Sequence, residues 1–352
     1  MRDEVKHALI KTMHVSGMLK AARNKIAESK ATVVLTFHRV IPDNFMGSCR
    51  SPRGMVIRES SFSQLLAYLK EHANIVRPYD IAKEQDVQGR PRVLLTFDDG
   101  WADNVKVAAP LLGDCDMSAC FFAVTGYAGT SQPFWPERFL GLFRSLHRMD
   151  REIRLKGFFA FLLKGKQPAP RIKEMKEEQL LSWLKGFPPD TIQRALTAAE
   201  QQLSGIGIDP PDPWERLMTW SELRSLAQLG HSIASHTATH ALLTQLKAAD
   251  ASSELTESSA QLQHCMGPER AETQWIAYPN GYNDEMVRSL AYQSGYRYGF
   301  TTMPGLWRVG SEALAIPRVN VWDGTVLSPE GDFDERCLEY NLFWRPLRAG
   351  TL

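Results

Sequence analysis

The chain has 352 residues, 43% of them hydrophobic, enough to bury one barrel-sized α/β domain with insertions or two smaller domains. Its 41 basic and 40 acidic residues nearly cancel, so there is no broad positive field to gather nucleic acid, and no nucleic-acid partner is expected. Five cysteines, at 49, 115, 120, 265 and 337, are odd in number and lack CxxC spacing; neither a disulfide framework nor a thiolate-held zinc is indicated, and reduced thiols are expected.

Residues 1–30 mix charged and apolar positions at helical spacing. They never reach the continuous apolar run of a signal peptide or the ~20 residues of a membrane span. One amphipathic helix is predicted, with Leu9, Ile10, Met13, Met18 and Leu19 near one face. Packing on the protein's own body is the expected use of that face, with peripheral membrane contact as the alternative. The expected compartment is the cytoplasm, including the inner face of the membrane.

The β-branched run ATVVLTFHRV (31–40) predicts a buried strand with His38 at its carboxyl end, followed by a polar loop through Pro42, Asp43, Asn44 and Gly47. A helical pattern over 61–72 leads to PRVLLTFDDG (91–100), a second apolar strand that stops at two aspartates and a glycine. VAAPLLGDC then reads as helix, SACFFAVTG (118–126) as strand, WSELRSLAQLG (220–230) as helix and HSIASH (231–236) as strand. SELTESSAQLQHCMG reads as helix, QWIAYPNG (274–281) as strand into turn, DEMVRSLAYQSG as helix and YRYGFTT as a further strand. Such alternation predicts a parallel sheet or (β/α) barrel, in which catalytic side chains gather at the carboxyl ends of strands.

Residues 134–217 break the rhythm with helical and basic segments, including KGFFAFLLKGK (156–166), and end in the proline-rich DPPDPW (209–214). This reads as a helical insertion, whose knot of Phe158, Phe159, Phe161, Leu162 and Leu163 serves either its own core or an apolar surface outside the protein. The organisation predicted is an amino-terminal helix (1–30), a barrel domain (31–326) containing that insertion, and a carboxyl-terminal tail (327–352).

Asp98 and Asp99 end a buried strand, where ionised carboxylates are costly unless a metal or another partner compensates them. His236 and His240 in HTATH are four apart; on one helical turn their rings would face the same side and could share a cation. Asp99 with this pair makes a His₂Asp metal site with positions open for water, the arrangement a hydrolytic metal requires. Asp98 is then free to take a proton from the bound water as general base. His38 has a side chain suited to protonating a departing amine, although a histidine capping its strand would look the same.

Three segments, TFDDG (96–100), SHTATH (235–240) and AYPNG (277–281), resemble the NodB-homology polysaccharide deacetylases, carbohydrate esterase family 4. The resemblance runs over roughly 31–135 and 217–322. It implies a distorted (β/α)₇ barrel, a zinc-type metal, and hydrolysis of N-acetyl groups on hexosamines. It also implies Asp98 as base, Asp99, His236 and His240 as ligands, and Pro279–Asn280 as the turn whose Asn280 N–H meets the developing oxyanion. Two departures accompany it. The family's arginine two residues before that proline is Ala277 here, so Arg318 in IPRVNV is the candidate to steady Asp98. No histidine follows His264, and VLTFHRV is similar to the late acid strand moved to the front, as in circularly permuted deacetylases acting on poly-N-acetylglucosamine; this makes His38 the candidate acid. The substrate implied is a glycan or glycolipid. The alternatives are a deacylase of a lipid-linked amino sugar and a carbohydrate-binding relative without turnover.

Overall fold

The apolar runs become strands because parallel strands covered on both faces need uninterrupted apolar sequence. In chain order they are β1 (Thr32–Phe37), β2 (Arg39–Ile41), β3 (Val56–Arg58), β4 (Asn74–Ile75), β5 (Arg92–Phe97), β6 (Cys120–Ala123), β7 (Ser232–Ser235), β8 (Trp275–Ala277), β9 (Tyr298–Phe300) and β10 (Val319–Asn320). The computed structural model describes residues 2–83, 89–130, 134–146, 155–163, 175–187, 189–203, 214–267 and 274–349. The main sheet is parallel throughout, in the order β10-β1-β5-β6-β7-β8-β9, with β4 beside β5. Ile316, just before β10, bridges to Phe300 of β9, so the seven-strand path curls back on itself as a distorted (β/α)₇ barrel. Strands β2 and β3 pair in a small separate sheet that the sequence pattern did not predict.

Strand parity sorts the side chains. Val34, Leu94, Cys120, Phe122, Ala234, Ala277 and Phe300 share one buried cluster on the inner face. On the opposite parity, Phe37, Phe97 and Phe121 stack across three neighbouring strands, with ring centroids 5.1 and 4.7 Å apart. The helix Glu59–His72 covers this row, and its Phe62 meets Phe37 edge-on at 5.3 Å. On β7–β9 the alternation continues through helices Ala248–Met266 and Glu285–Gln293, which pack Leu255 and Val287 with Ile276.

The chain divides into two compact units, one of Met1–Met46, Arg53–Thr130 and Leu217–Leu352, the other of Gly47–Pro52 and Ser131–Arg216. In the second, helices Trp135–Ser145, Lys156–Leu163, Glu177–Leu184 and Pro189–Gln202 enclose their own core. Phe158, Phe159, Leu162 and Leu163 belong to that core, and only Phe161 of the knot is exposed, at 43%. The lysine-bearing 164–166 and the proline-rich 209–213 lie outside the described residues. No helix among the described residues is long and apolar enough to cross a membrane.

Both predicted ends need correction. Residues 1–30 are not one helix but two, Arg2–Val15 and Met18–Glu28, because Gly17 takes a left-handed φ of 77° that stops the first. The apolar face divides accordingly: Ile10, Met13 and Leu19 pack on Cys337, whereas Leu9 and Met18 are exposed. Within the predicted carboxyl-terminal tail, helical turns over Glu335–Ala349 supply the other half of that contact. All five cysteines are free thiols. The two ends are joined by buried Glu339, whose Oε1 accepts from Arg23 Nη1 (2.8 Å) and Tyr68 Oη (2.7 Å). Arg23→Met would leave that carboxylate without its cation and is expected to cost about 1–3 kcal/mol. Tyr68→Phe removes one neutral donor and is expected to cost about 1 kcal/mol, and the two midpoints in chemical denaturation check the order.

Candidate active site

The inner-face parity of β5, carried by Leu94 and Thr96, continues into Asp98, and that of β7, carried by Ala234, continues into His236. Both side chains therefore turn into the carboxyl-end mouth of the barrel. Asp99 cannot follow by simple extension, because consecutive strand residues point to opposite faces. It takes a left-handed φ of 74°, and Thr237 and His240 do the same at 67° and 62°. Residues 236–242 are an irregular loop, which corrects the expectation of a helical turn for the histidine pair: two left-handed residues within the motif are incompatible with one. The rings nevertheless meet, with centroids 4.9 Å apart at 73°.

Left-handed threonine is strained, so the loop must be held from outside itself. Thr237 N donates to Ser235 Oγ at 3.1 Å, and His240 N donates to Thr237 Oγ1 at 3.0 Å. From the helix behind, one Glu254 oxygen accepts the Ala238 and Thr239 N–H groups at 3.0 and 2.9 Å, and the other accepts the Thr239 hydroxyl at 2.5 Å. His236 is fixed separately, its Nδ1–H donating to the Ala277 carbonyl at 2.7 Å, which leaves Nε2 as the lone-pair nitrogen.

Nε2 of His236 and of His240 lie 3.4 and 3.5 Å from Asp99 Oδ1. All three candidate ligand atoms lie within 4.8 Å of one another. Tetrahedral zinc with bonds of ~2.0–2.1 Å needs neighbouring ligand atoms ~3.3 Å apart, so the donor set suits such an ion chemically and both Asp99–histidine separations match it. The second Asp99 oxygen is occupied by Trp101, whose indole Nε1–H donates to Oδ2 at 3.0 Å. Trp101 is pinned in turn by Arg39, whose guanidinium lies 4.3 Å over the indole and pairs with buried Asp103 at 2.9 Å.

Asp98 has a different partner. Arg318 donates Nη1 to Oδ1 at 2.7 Å and Nη2 to Oδ2 at 2.6 Å, and its Nε donates to the Thr301 carbonyl at 2.8 Å. Burial opposes the charge on Asp98, but Arg318 and then His236 outweigh it and hold the carboxyl below its ordinary range. Asp99 behaves alike: burial raises it, while the His236 hydrogen bond and the charges of the neighbouring histidines pull it well down. The histidines diverge, since the two carboxylates overcome burial and raise His236, whereas burial and the neighbouring His236 push His240 down to about 4. Arg318 stands just before β10.

His38 lies between β1 and β2, near enough that its charge lowers both aspartates. Its carbonyl accepts from Asn104 Nδ2 at 2.9 Å, while its Nδ1 is buried without a hydrogen-bond partner. Past β8, Pro279–Gly281 form a tight turn with Asn280 at φ 55°. Thr302 Oγ1 donates to the Asn280 carbonyl at 2.8 Å, and a Cβ on Gly281 would sit 2.2 Å from Thr302 N, so only glycine fits. Sequence reasoning missed Trp101 and Glu254. The first had a signal in its position beside TFDDG; the second sits in an unremarkable helical pattern.

The family model described as polysaccharide deacetylase matches residues 85–299, more than half of the 352-residue chain. The chain belongs to the polysaccharide deacetylase family. Among curated proteins it is 33% identical over 119 residues to YxkH of Bacillus subtilis (strain 168), a match spanning 34% of this chain and 41% of that protein's length. Among solved structures it resembles the Streptococcus pyogenes deacetylase PplD in complex with acetate, with a TM-score of 0.54 and 17% identity over 89% of this chain and 98% of that one. IcaB from Ammonifex degensii gives a TM-score of 0.52 and 19% identity over 86% of this chain and 93% of that one. At such identities the structural likeness concerns the deacetylase-family fold.

Arg318→Met removes the charge that keeps Asp98 ionised, leaving burial to raise its pKa. If activity needs ionised Asp98, it is lost as pH falls through that pKa, so the acid limb of kcat/KM is expected to move to higher pH. Arg318→Lys keeps the charge without the two-pronged geometry and is expected to move the limb less; limbs that stay where they were in both variants would separate Arg318 from the reaction. Glu254→Ala is expected to weaken zinc binding 10–100-fold, as losses behind ligand residues do, in a competition titration with a chelator.

Proposed function

We propose that the protein is a metal-dependent hydrolase that removes an acyl group, acetyl foremost, from the nitrogen of an amino sugar in a glycan. The observation that carries this reading is the separation of the two adjacent aspartates: Asp99 faces His236 and His240, while Asp98 is held apart by Arg318. Family membership and the fold shared with PplD support it.

Asp99, His236 and His240 would hold the divalent ion, which supplies Lewis acidity toward the acyl oxygen and makes a bound water more acidic. Asp98 accepts the proton of the attacking water; Arg318 occupies one direction at each carboxylate oxygen, leaving further lone pairs for that proton. The water oxygen bonds to the acyl carbon, and the Asn280 N–H is the candidate donor to the resulting oxyanion. His38 gives a proton to the amide nitrogen as the carbon–nitrogen bond breaks, releasing acetate and the free amine. The unpartnered Nδ1 of His38 leaves its ring without a hydrogen bond that would commit that atom elsewhere.

The deciding assay is zinc-supplemented acetate release from N-acetylglucosamine oligomers and from a lipid-linked N-acetylhexosamine. Asp98→Asn is expected to bind metal and lose turnover, and His240→Ala to lose both. Turnover retained by either variant would remove the mechanism. His38→Ala is expected to slow the reaction ~10²–10⁴-fold if its ring is the acid. A native rate in that variant would return His38 to a purely structural role.

A further inference from the structure

Beside the catalytic carboxylate lies a cavity of 210 Å³ whose lining includes Thr302, Arg318, Asn320, Trp322, Asn341 and Arg345. It opens at the carboxyl ends of β9 and β10, on the rim that carries the candidate active site. Two contacts tie it to that site: Arg318 lines the cavity and grips Asp98, and Thr302 lines it and holds the Asn280 carbonyl. Its volume is below the ~300–1,000 Å³ typical of pockets for drug-sized ligands, which suits a single sugar unit. Every lining residue lies beyond residue 299, where the match to the family model ends, so this chain builds the cavity from segments outside that match.

The lining has a definite chemistry. Trp322 supplies an aromatic wall, and its indole is closely seated: a Cβ on Gly324 would lie 2.2 Å from the ring. Asn320 is part of the wall, held by its Nδ2, which donates to the Gly54 carbonyl at 3.0 Å, with its Oδ1 turned into the protein. Asn341 is committed to the scaffold through Nδ2, which donates to the Thr325 and Cys337 carbonyls, and its Oδ1 takes one Arg345 N–H at 3.2 Å. Arg345 is exposed and keeps its remaining guanidinium donors. Among the described residues no acidic one lines the cavity, and the charge of Arg318 is already answered by Asp98, so these residues give the cavity one uncompensated positive charge.

We propose that this cavity is a subsite for an anionic sugar unit, one bearing a phosphate or a carboxylate, next to the amino sugar that is deacylated. The inference rests on the sugar-hydrolase reading above and specifies its substrate class. The apolar face of the pyranose stacks on Trp322, and the anion meets the two-pronged donor face of Arg345. The neutral glycan unit under attack sits toward Asp98, on the other side of Arg318.

The test uses sugars without an acyl group, so that binding is read independently of turnover. The full ¹⁵N-labelled chain is titrated with glucose 1-phosphate, glucuronate and glucose while the tryptophan indole N–H signals are followed, the Trp322 signal being assigned from Trp322→Phe. At least one of the two anionic sugars is expected to bind tenfold or more tightly than glucose and to move the Trp322 signal; which one does so identifies the anion. Arg345→Ala is expected to abolish that preference while leaving glucose binding unchanged, and Arg345→Lys to keep part of it. Asn320→Asp, which adds a like charge without changing shape, is expected to weaken both anionic sugars and provides a second variant should Arg345→Ala unfold. Equal binding of all three sugars, a Trp322 signal that stays fixed, or a preference that survives Arg345→Ala overturns the proposal. Loss of acetate release with anion preference intact would count against the hydrolase reading alone, and acetate release without anion preference against the subsite alone.

Discussion

Two ionised carboxylates sit on consecutive residues at the end of a buried strand, Asp98 2% and Asp99 3% exposed, and much of the mouth of the barrel answers that condition. Buried charges demand partners, and a strand cannot aim neighbouring side chains at one centre. The chain meets the first demand by bringing Arg318 from before β10 and His236 from after β7, and the second by turning Asp99 into the left-handed region. Strain of this kind persists only where surroundings over-determine it. Trp101, held by Arg39 and Asp103, fixes Asp99, and Glu254 fixes the histidine loop.

These supports explain which features were legible in the sequence. Apolar runs such as TVVLTF and RVLLTF read as buried strands, and the alternating helices then predicted a parallel sheet or barrel from pattern alone. Asp98, Asp99, His236 and His240 stood out because polar side chains interrupt the ends of those runs. Their conformations did not, since the four-residue spacing of the histidines fits a helix as well as the loop they form, and the Glu254 carboxylate that holds this loop comes from a helix about fifteen residues further on. Arg318 was found only through a deficit, the alanine at 277. The packing of the two amino-terminal helices under the helical carboxyl end depends on Cys337 and Glu339, over 300 residues away in sequence from the helices they contact.

Arg318 gives Asp98 a property that bears on the proposed chemistry. A carboxylate held below its ordinary pKa is a weak base, whereas general-base catalysis is most efficient when the base is poised near the working pH. Asp98 can therefore serve only if the water it deprotonates is already made acidic by its surroundings, which is what a bound divalent ion contributes. Strong pairing of Asp98 and the metal-ligand geometry around Asp99 are thus two parts of one requirement. A carboxylate left to desolvation alone would be the better base, but it would spend much of its time protonated inside the barrel.

The charge count of the site leads to the same place. Asp98 and Asp99 contribute two negative charges and Arg318 one positive, leaving a single negative charge among buried groups. One proton on His236 would neutralise it, and the raised pKa of that histidine registers the pull. Under the proposed function a divalent ion takes that place with neutral histidines, and the balance passes from one negative charge to one positive. The reacting acyl group would then develop its oxyanion in a site of opposite sign instead of beside two carboxylates. Electrostatic stabilisation of that kind is commonly the largest single contribution to acyl-transfer catalysis. It follows that Arg318, although it need not touch the acyl group, sets the sign of the field in which the reaction occurs.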